Sequence, residues 1–355
     1  MLNQIHLSNF KSFSDITIPL SPMTLFAGLN NSGKSSVIQA FRMLWKCSDT
    51  GDPSLGNLGA LKEIKNIKAA RSASIKIACF FQKKDKVELE IDFAYPDKPR
   101  ISPIANQTDF LPLMSYVSAD RWGPRVYLPI YTAMGDVTHV GEYGEYVLDF
   151  LSRHEMDIVA PELRHPDAEG DILEYNVRAW LEEISPNVKF EHATDPKRDT
   201  AYATIDGFRP PNTGFGLSYT LPVIVSLLGM SAEWKDETEE KLKSERGTLV
   251  MLENPEAHLH PQAQTAMGRM IACAAAAGVQ VIVETHSDHL MDGIRIAAKY
   301  GLLDAEKTVF HYFTMKNEYE STITSPKLHP NGKLDYWPEG FFDQTLKNRA
   351  KLARR

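Results

Sequence analysis

The chain has 355 residues, 43% of them hydrophobic, with 46 acidic and 39 basic side chains and a formal net charge of −7. That is enough apolar material for a sizeable core, and the acidic balance excludes a surface that grips DNA or anionic lipid indiscriminately. Residues 1–20 alternate apolar and polar side chains, so neither a signal peptide nor a membrane anchor is expected. Cys47, Cys79 and Cys273 are too widely spaced for a disulfide framework or a metal pair, which points to a reducing, cytoplasmic setting.

From the N-terminus, residues 3–8, 15–20 and 24–27 read as short strands separated by Asn9-Phe10-Lys11-Ser12 and Ser21-Pro22. The third runs into Gly28-Leu29-Asn30-Asn31-Ser32-Gly33-Lys34-Ser35, a complete G-x-x-x-x-G-K-[ST] loop. Val37, Ile38, Phe41, Leu44 and Trp45 then mark one apolar face of a helix from Ser35 to Trp45. A loop of this kind turns backbone N–H groups inward around phosphates, sends its lysine to the β and γ oxygens, and offers a hydroxyl to Mg²⁺. The following helix adds the positive end of its dipole. Asn30, Asn31, Ser32, Gly33, Lys34, Ser35 and Ser36 are the expected nucleotide-binding residues, with Ser35 also a metal ligand.

Segments 73–81 and 86–93 alternate as strands around Lys83-Lys84-Asp85, a plausible hairpin, and residues 116–119 form another strand before the loop Asp120-Arg121-Trp122-Gly123-Pro124-Arg125. From 142 to 190 the spacing turns helical, with a polar break at 160–171, so a helical lobe over 142–205 is expected as an insertion. The charged run from Glu233 to Arg246 reads as a solvent-facing helix or a mobile loop. There is no internal repeat and no sustained heptad pattern, so no long coiled-coil arm is expected. Trp122, Trp180 and Trp337 read as packing anchors.

Thr248 to Glu253 is a buried parallel strand ending in a carboxylate. Asn254-Pro255-Glu256-Ala257-His258-Leu259-His260-Pro261 follows, then an alanine-rich helix over 262–277 and a strand from Val279 to Val283 ending in Glu284-Thr285-His286-Ser287. A carboxylate at a strand end beside a phosphate loop holds the water shell of Mg²⁺, the role that fits Glu253, and His286 stands where a γ-phosphate sensor is expected. His258, His260, His286, Asp288 and His289 also admit a zinc or manganese reading, but the turn and the sensor histidine account for them without a further ion. Lys347, Arg349, Lys351, Arg354 and Arg355 read as a solvated helix end rather than a phosphate contact.

These motifs, Gly-x-Asn-x-Ser-Gly-Lys-Ser, Glu-Asn-Pro-Glu-x-His-Leu-His-Pro and Glu-Thr-His-Ser, resemble those of ABC-type ATPases of the RecF/SMC and OLD (overcoming lysogenization defect) group, over about residues 1–45 and 205–295. The resemblance implies an α/β fold: a P-loop ABC-type ATPase head with a mixed sheet, an antiparallel N-terminal β region and the helical inserted lobe. Residues 1–355 would form one domain, with 306–355 as a β/helical extension whose Tyr336–Gln344 segment is similar to the tail of an uncharacterised branch. It further implies ATP and Mg²⁺ as ligands, His286 as the switch histidine, His258-Leu259-His260 as the D-loop, and a head that closes on ATP as a homodimer or higher oligomer. Gly214, Gly216 and Ser218, ahead of an apolar helix from Leu221 to Leu228, would present donors to the γ-phosphate of the partner's ATP.

Two departures bear on mechanism. Asn254 stands where the family carries its catalytic glutamate. Asparagine can orient a water but not accept its proton, so either Glu256 supplies the carboxylate or it only caps the following turn and hydrolysis is slow. The signature segment Asn212–Ser218 is not Leu-Ser-Gly-Gly. The expected function is an ATP-driven switch, with Glu253, Glu256 and His286 as catalytic residues, acting on a separate effector, a nuclease or toxin, in bacterial anti-phage defence. The alternatives are a nucleotide-gated scaffold with little turnover and a RecF-like DNA-repair ATPase that binds DNA or RNA; no membrane partner is expected.

Overall fold

A computed structural model of the chain describes residues 1–56, 58–82, 85–94, 99–102, 111–132, 138–233 and 246–353. In chain order the elements are β1 (Leu2–Phe10), β2 (Phe13–Pro19), β3 (Met23–Gly28), α1 (Lys34–Thr50), β4 (Ile75–Phe81), β5 (Lys86–Asp92), β6 (Arg100–Ile101), β7 (Leu113–Val117), β8 (Leu128–Pro129), α2 (Val147–His154) and α3 (Leu173–Ile184). They continue as β9 (Phe190–Asp195), β10 (Thr200–Ile205), α4 (Phe215–Ser231), β11 (Thr248–Glu253), α5 (Pro261–Ala276), β12 (Gln280–Glu284), α6 (Asp288–Lys299), β13 (Thr308–Asn317), β14 (Glu320–Thr324) and α7 (Gln344–Ala353). The fold is mixed α/β. Its residues group into two compact units, one of 1–111, 309–327 and 335–355, the other of 112–308 and 328–334.

In the first unit an antiparallel sheet runs in the order β2-β1-β4-β5-β6. Alternation sets its faces: Ile5 and Leu7 on β1, Ile77 and Cys79 on β4, and Leu89 and Ile91 on β5 are all fully buried. Hydrogen bonds also join β3 to β13, which pairs antiparallel with β14. Phe26 meets Phe313 edge-on at 5.1 Å on this second set of strands. Helix α1 buries the stripe Val37, Ile38, Phe41, Leu44 and Trp45, and ends on Gly51 at φ 76°, whose N–H closes on the Cys47 carbonyl. Burial lowers the pKa of His311 on β13 to about 4 and so holds the ring neutral, while Nε2 donates to the Pro19 carbonyl at 2.8 Å and Nδ1 meets the Ser325 hydroxyl at 2.7 Å.

In the second unit β11 lies between β12 and β7, parallel to both, with Glu253 in register with Glu284 and Leu252 with Val117. All three strands are therefore cut off at one edge, where their loops gather. Helix α4 is apolar all round and buried over most of its length. Helices α5 and α6 cross with backbones touching: a Cβ on Gly268 would sit 2.1 Å from the Leu290 carbonyl oxygen, and one on Gly293 2.2 Å from that of Thr265. Glu183 on α3 receives both His165 and Arg269, and Arg269 lies over the Trp180 ring, which ties α3 to α5.

The structure departs from sequence expectation in two elements. The stretch 142–205 holds α2 and α3, but its end is an antiparallel hairpin, β9 with β10, joined by β8 into a three-stranded sheet. Buried Ala201, Ala203 and Ile205 alternate with exposed Tyr202, a strand pattern with too little apolar bulk to outweigh the helical run before it. Helix α4 begins at Phe215, six residues before Leu221, and carries Pro222 in its interior. Lys83-Lys84, residues 234–245 of the charged run, and Arg354 and Arg355 lie outside the described residues. Lys347 pairs with Asp343 at 2.7 Å on the exposed α7. All three cysteines are free and buried, and among the described residues no helix is long and apolar enough to cross a membrane.

Candidate functional site

Backbone geometry shapes the phosphate loop in the first unit. Gly28 lies at φ 146°, Asn31 at 63° and Gly33 at 102°. A Cβ on Gly28 would fall 2.3 Å from the Phe313 carbonyl oxygen, and one on Gly33 2.8 Å from both Phe13 Cζ and Ser321 Oγ, so neither position has room for a side chain. Lys34, 3% exposed, folds its ammonium back across the loop onto the Gly28 and Leu29 carbonyls, each at 3.0 Å. Ser32 Oγ is buried without a hydrogen-bond partner, while Ser35 is exposed at the helix start. A cradle crowded by backbone, a buried ammonium and an unsatisfied hydroxyl together suit a polyphosphate.

In the second unit Glu253 closes β11. Its Oε2 accepts from the Tyr116 hydroxyl at 3.1 Å and the Ala119 N–H at 3.3 Å, while Oε1 has no partner among the described residues. One oxygen is fixed and the other is left to a cation, a donor set that fits Mg²⁺. The chain then turns through Asn254 at φ 45°, a left-handed conformation that asparagine tolerates. Asn254 N–H donates to the Glu284 carbonyl at 2.9 Å, and its buried side-chain oxygen is unpartnered. Glu256, 9% exposed, accepts from the His286 N–H through Oε1 at 2.8 Å, and its Oε2 is buried with no partner. Burial raises the Glu256 pKa above the usual carboxylate value. The carboxylate thus ties the turn after β11 to the one after β12. His286 is exposed there, and Ser287 caps α6 by accepting from Leu290 N–H at 3.0 Å.

Gly214 is the N-cap of α4, so Gly216 lies in its first turn, where backbone N–H groups lack intrahelical acceptors, and Ser218 follows as the fourth helical residue, with its hydroxyl as donor. Gly216 also lies against the turn after β11, since a Cβ there would be 3.2 Å from the His258 carbonyl oxygen. His258 stands at φ 63° with its ring 4.6 Å from that of Tyr219. The start of α4 and the turn after β11 are therefore in contact within the second unit. The histidine-rich metal site does not form, since no group of three His, Cys, Asp or Glu side chains suited to an ion exists among the described residues.

Sequence reading passed over Arg121, in the loop after β7. It is 2% exposed and donates Nη1 to the Ser118 carbonyl at 2.8 Å and the Glu253 carbonyl at 2.7 Å, and Nη2 to the Asn254 carbonyl at 2.8 Å, with Tyr219 5.6 Å from the guanidinium carbon. Desolvation lowers its pKa to about 10. One side chain thus holds the backbone on both sides of the Glu253–Asn254 bond. The available signal was a charged residue four positions after a strand adjoining β11, which no local motif distinguishes from a surface loop.

Residues 1–117 and 162–291 match the family described as AAA ATPase domain, and residues 303–352 match one described as a protein of unknown function. The chain belongs to the AAA ATPase domain family. It is 23% identical over 392 residues to the Old nuclease of Escherichia phage P2, with 92% of this chain covered and 64% of the nuclease, so it spans less than two thirds of that relative's length. Among solved structures it is similar to an Smc head bound to the C-winged helix domain of ScpA, with TM-score 0.54, 15% identity, and 92% of this chain and 98% of that one covered. It is also similar to an Smc head with an extended coiled coil bound to the C-terminal domain of ScpA derived from Pyrococcus furiosus, with TM-score 0.50, 12% identity, and 99% of each chain covered. This AAA ATPase domain therefore has the fold of Smc heads.

Proposed function

We propose that the chain is an ATP-hydrolysing switch that dimerises around nucleotide and controls a separate effector, a nuclease or toxin, in cytoplasmic anti-phage defence. The observation that carries the nucleotide part is the cradle itself, with buried Lys34 across the loop carbonyls and the unsatisfied Ser32 hydroxyl beside Gly33. Similarity to the Old nuclease of the phage supports the link to nuclease chemistry. In this reading Asn30 to Ser36 bind the triphosphate, and Ser35 and Glu253 would hold Mg²⁺, which would supply charge neutralisation on the phosphoryl oxygens. Gly214, Gly216 and Ser218 meet the nucleotide of a second copy. His286 senses the γ-phosphate, and Glu256 accepts the proton of the attacking water as the oxygen bonds to phosphorus and ADP leaves.

A scaffold with little turnover is the second reading, favoured by Asn254 in the catalytic position and by the enclosure of both Glu256 oxygens. Phosphate release from the purified full chain separates the two, with Lys34→Ala as the background control. Turnover above that control, lost in Glu256→Gln at retained nucleotide binding, supports the switch with Glu256 as base. Turnover equal to the control rejects hydrolysis in favour of the scaffold.

A further inference from the structure

We infer that the outer face of the β8-β10-β9 sheet binds single-stranded nucleic acid, with bases on tyrosine rings and phosphates on arginines. A cleft of about 340 Å³ lies there, lined by Tyr127, Tyr202, Arg198, Arg209, Thr200 and Asp195 among others. None of its lining residues belongs to the phosphate loop, to β11 or to the turns that follow β11 and β12.

The sheet register builds this platform. Thr200 pairs with Pro129 and Ala201 with Leu128, and Tyr127, the residue before Leu128, lines the same cleft as Tyr202. Ala201, Ala203 and Ile205 point into the core, which turns Thr200, Tyr202 and Thr204 outward. Tyr127 is 53% and Tyr202 41% exposed, and among the described residues neither ring packs on another aromatic ring. Two unstacked rings lining one cleft beside an antiparallel sheet give a surface on which unpaired bases stack, an interaction indifferent to sequence because every base has a π-face.

Charge complements the stacking. Arg198, in the β9–β10 turn, and Arg209, beyond the other end of β10, bracket the tyrosines along the strand. The single carboxylate lining the cleft, Asp195, is 3.7 Å from Arg198, and Arg209 has no ion pair among the described residues. Two arginines on a chain of net charge −7 cannot hold a duplex by its backbone alone. They can neutralise about two phosphates, which for a single strand gives a salt slope of about −1.4.

The test is fluorescence anisotropy of the full chain, without ATP, against a labelled 12-mer of thymidine or uridine, its abasic counterpart, the same sequence as duplex, and polyaspartate as competitor. We expect the single strand to bind at low salt with the shallow slope above. Tyr202→Ala and Tyr127→Ala should each weaken it at least about fivefold, and Arg209→Gln should flatten the slope by about 0.7. Equal affinity for the abasic strand or the duplex, displacement by polyaspartate at equal charge, wild-type affinity in both tyrosine variants, or no binding would each overturn the inference. Because ATP is absent, a negative result leaves the phosphate-release test untouched.

Discussion

Replacing Arg121 by methionine keeps side-chain length and removes the guanidinium, leaving the carbonyls of Ser118 and Glu253 without this donor, while that of Asn254 keeps the Ala257 N–H at 3.1 Å. Each acceptor left unpaired costs about 1–3 kcal/mol and the lost charge-assisted bond to the Asn254 carbonyl about 1.5–3 kcal/mol, so roughly 6 kcal/mol is lost in all. Against this stands the relief of burying a cation. The fall of the Arg121 pKa from 12.5 to about 10 corresponds to roughly 3 kcal/mol at 1.36 kcal/mol per unit. The net is a destabilisation of about 3 kcal/mol, which for a unit of this size lowers Tm by about 6–12 °C. Arg121→Lys should fall between wild type and methionine, because an ammonium does not reproduce the planar fork that spans three carbonyls. Thermal unfolding followed by circular dichroism, with urea midpoints at unchanged m, measures this. A methionine variant melting within about 2 °C of wild type would refute the claim that this side chain holds the turn.

Glu256 has its folded pKa raised by burial, so the native state holds its proton more tightly than the unfolded chain does. Its contribution is stabilising below the unfolded value of 4.5 and is lost as pH rises through the raised folded pKa. Glu256→Gln should remove that loss from urea denaturation measured across the window, and an unchanged profile would contradict it. His311 works in the opposite direction. Burial lowers its pKa from 6.5 to about 4, so stability present above pH 6.5 falls by roughly 3 kcal/mol as pH drops towards 4, where the unfolded chain takes up the proton and the native one does not. His311→Gln should flatten that acid limb, and an unaltered slope would count against the buried neutral ring.

The phosphate loop was legible in sequence because its chemistry is local. Gly28, Gly33, Lys34 and Ser35 lie within eight residues between a short apolar strand and an amphipathic helix, and β3 and α1 form there. The strand–helix–strand run through β11, α5 and β12 was equally plain, since Leu249 to Leu252 and Val281 to Val283 are uninterrupted apolar runs buried on both faces. What sequence could not supply were contacts between distant segments. Arg121 reaches Glu253 across 132 positions, and Tyr116 reaches it across 137, only because β7 and β11 run parallel. The β9–β10 hairpin escaped for a different reason. Alanines at 201 and 203 give a weak period-two signal after the strong helical one of α3, and the cleft beside Tyr202 was hidden with it.

The central claim, that Ser35 and Glu253 hold one metal–nucleotide complex, is tested most directly by titrating the full chain with Mn²⁺ and ATP and following free Mn²⁺ by electron paramagnetic resonance. The account predicts that Ser35→Ala and Glu253→Gln each weaken binding of Mn²⁺·ATP by about tenfold or more, while metal-free ATP binding stays near wild type. Wild-type affinity for Mn²⁺·ATP in Glu253→Gln, beside clear weakening in Ser35→Ala, would contradict it.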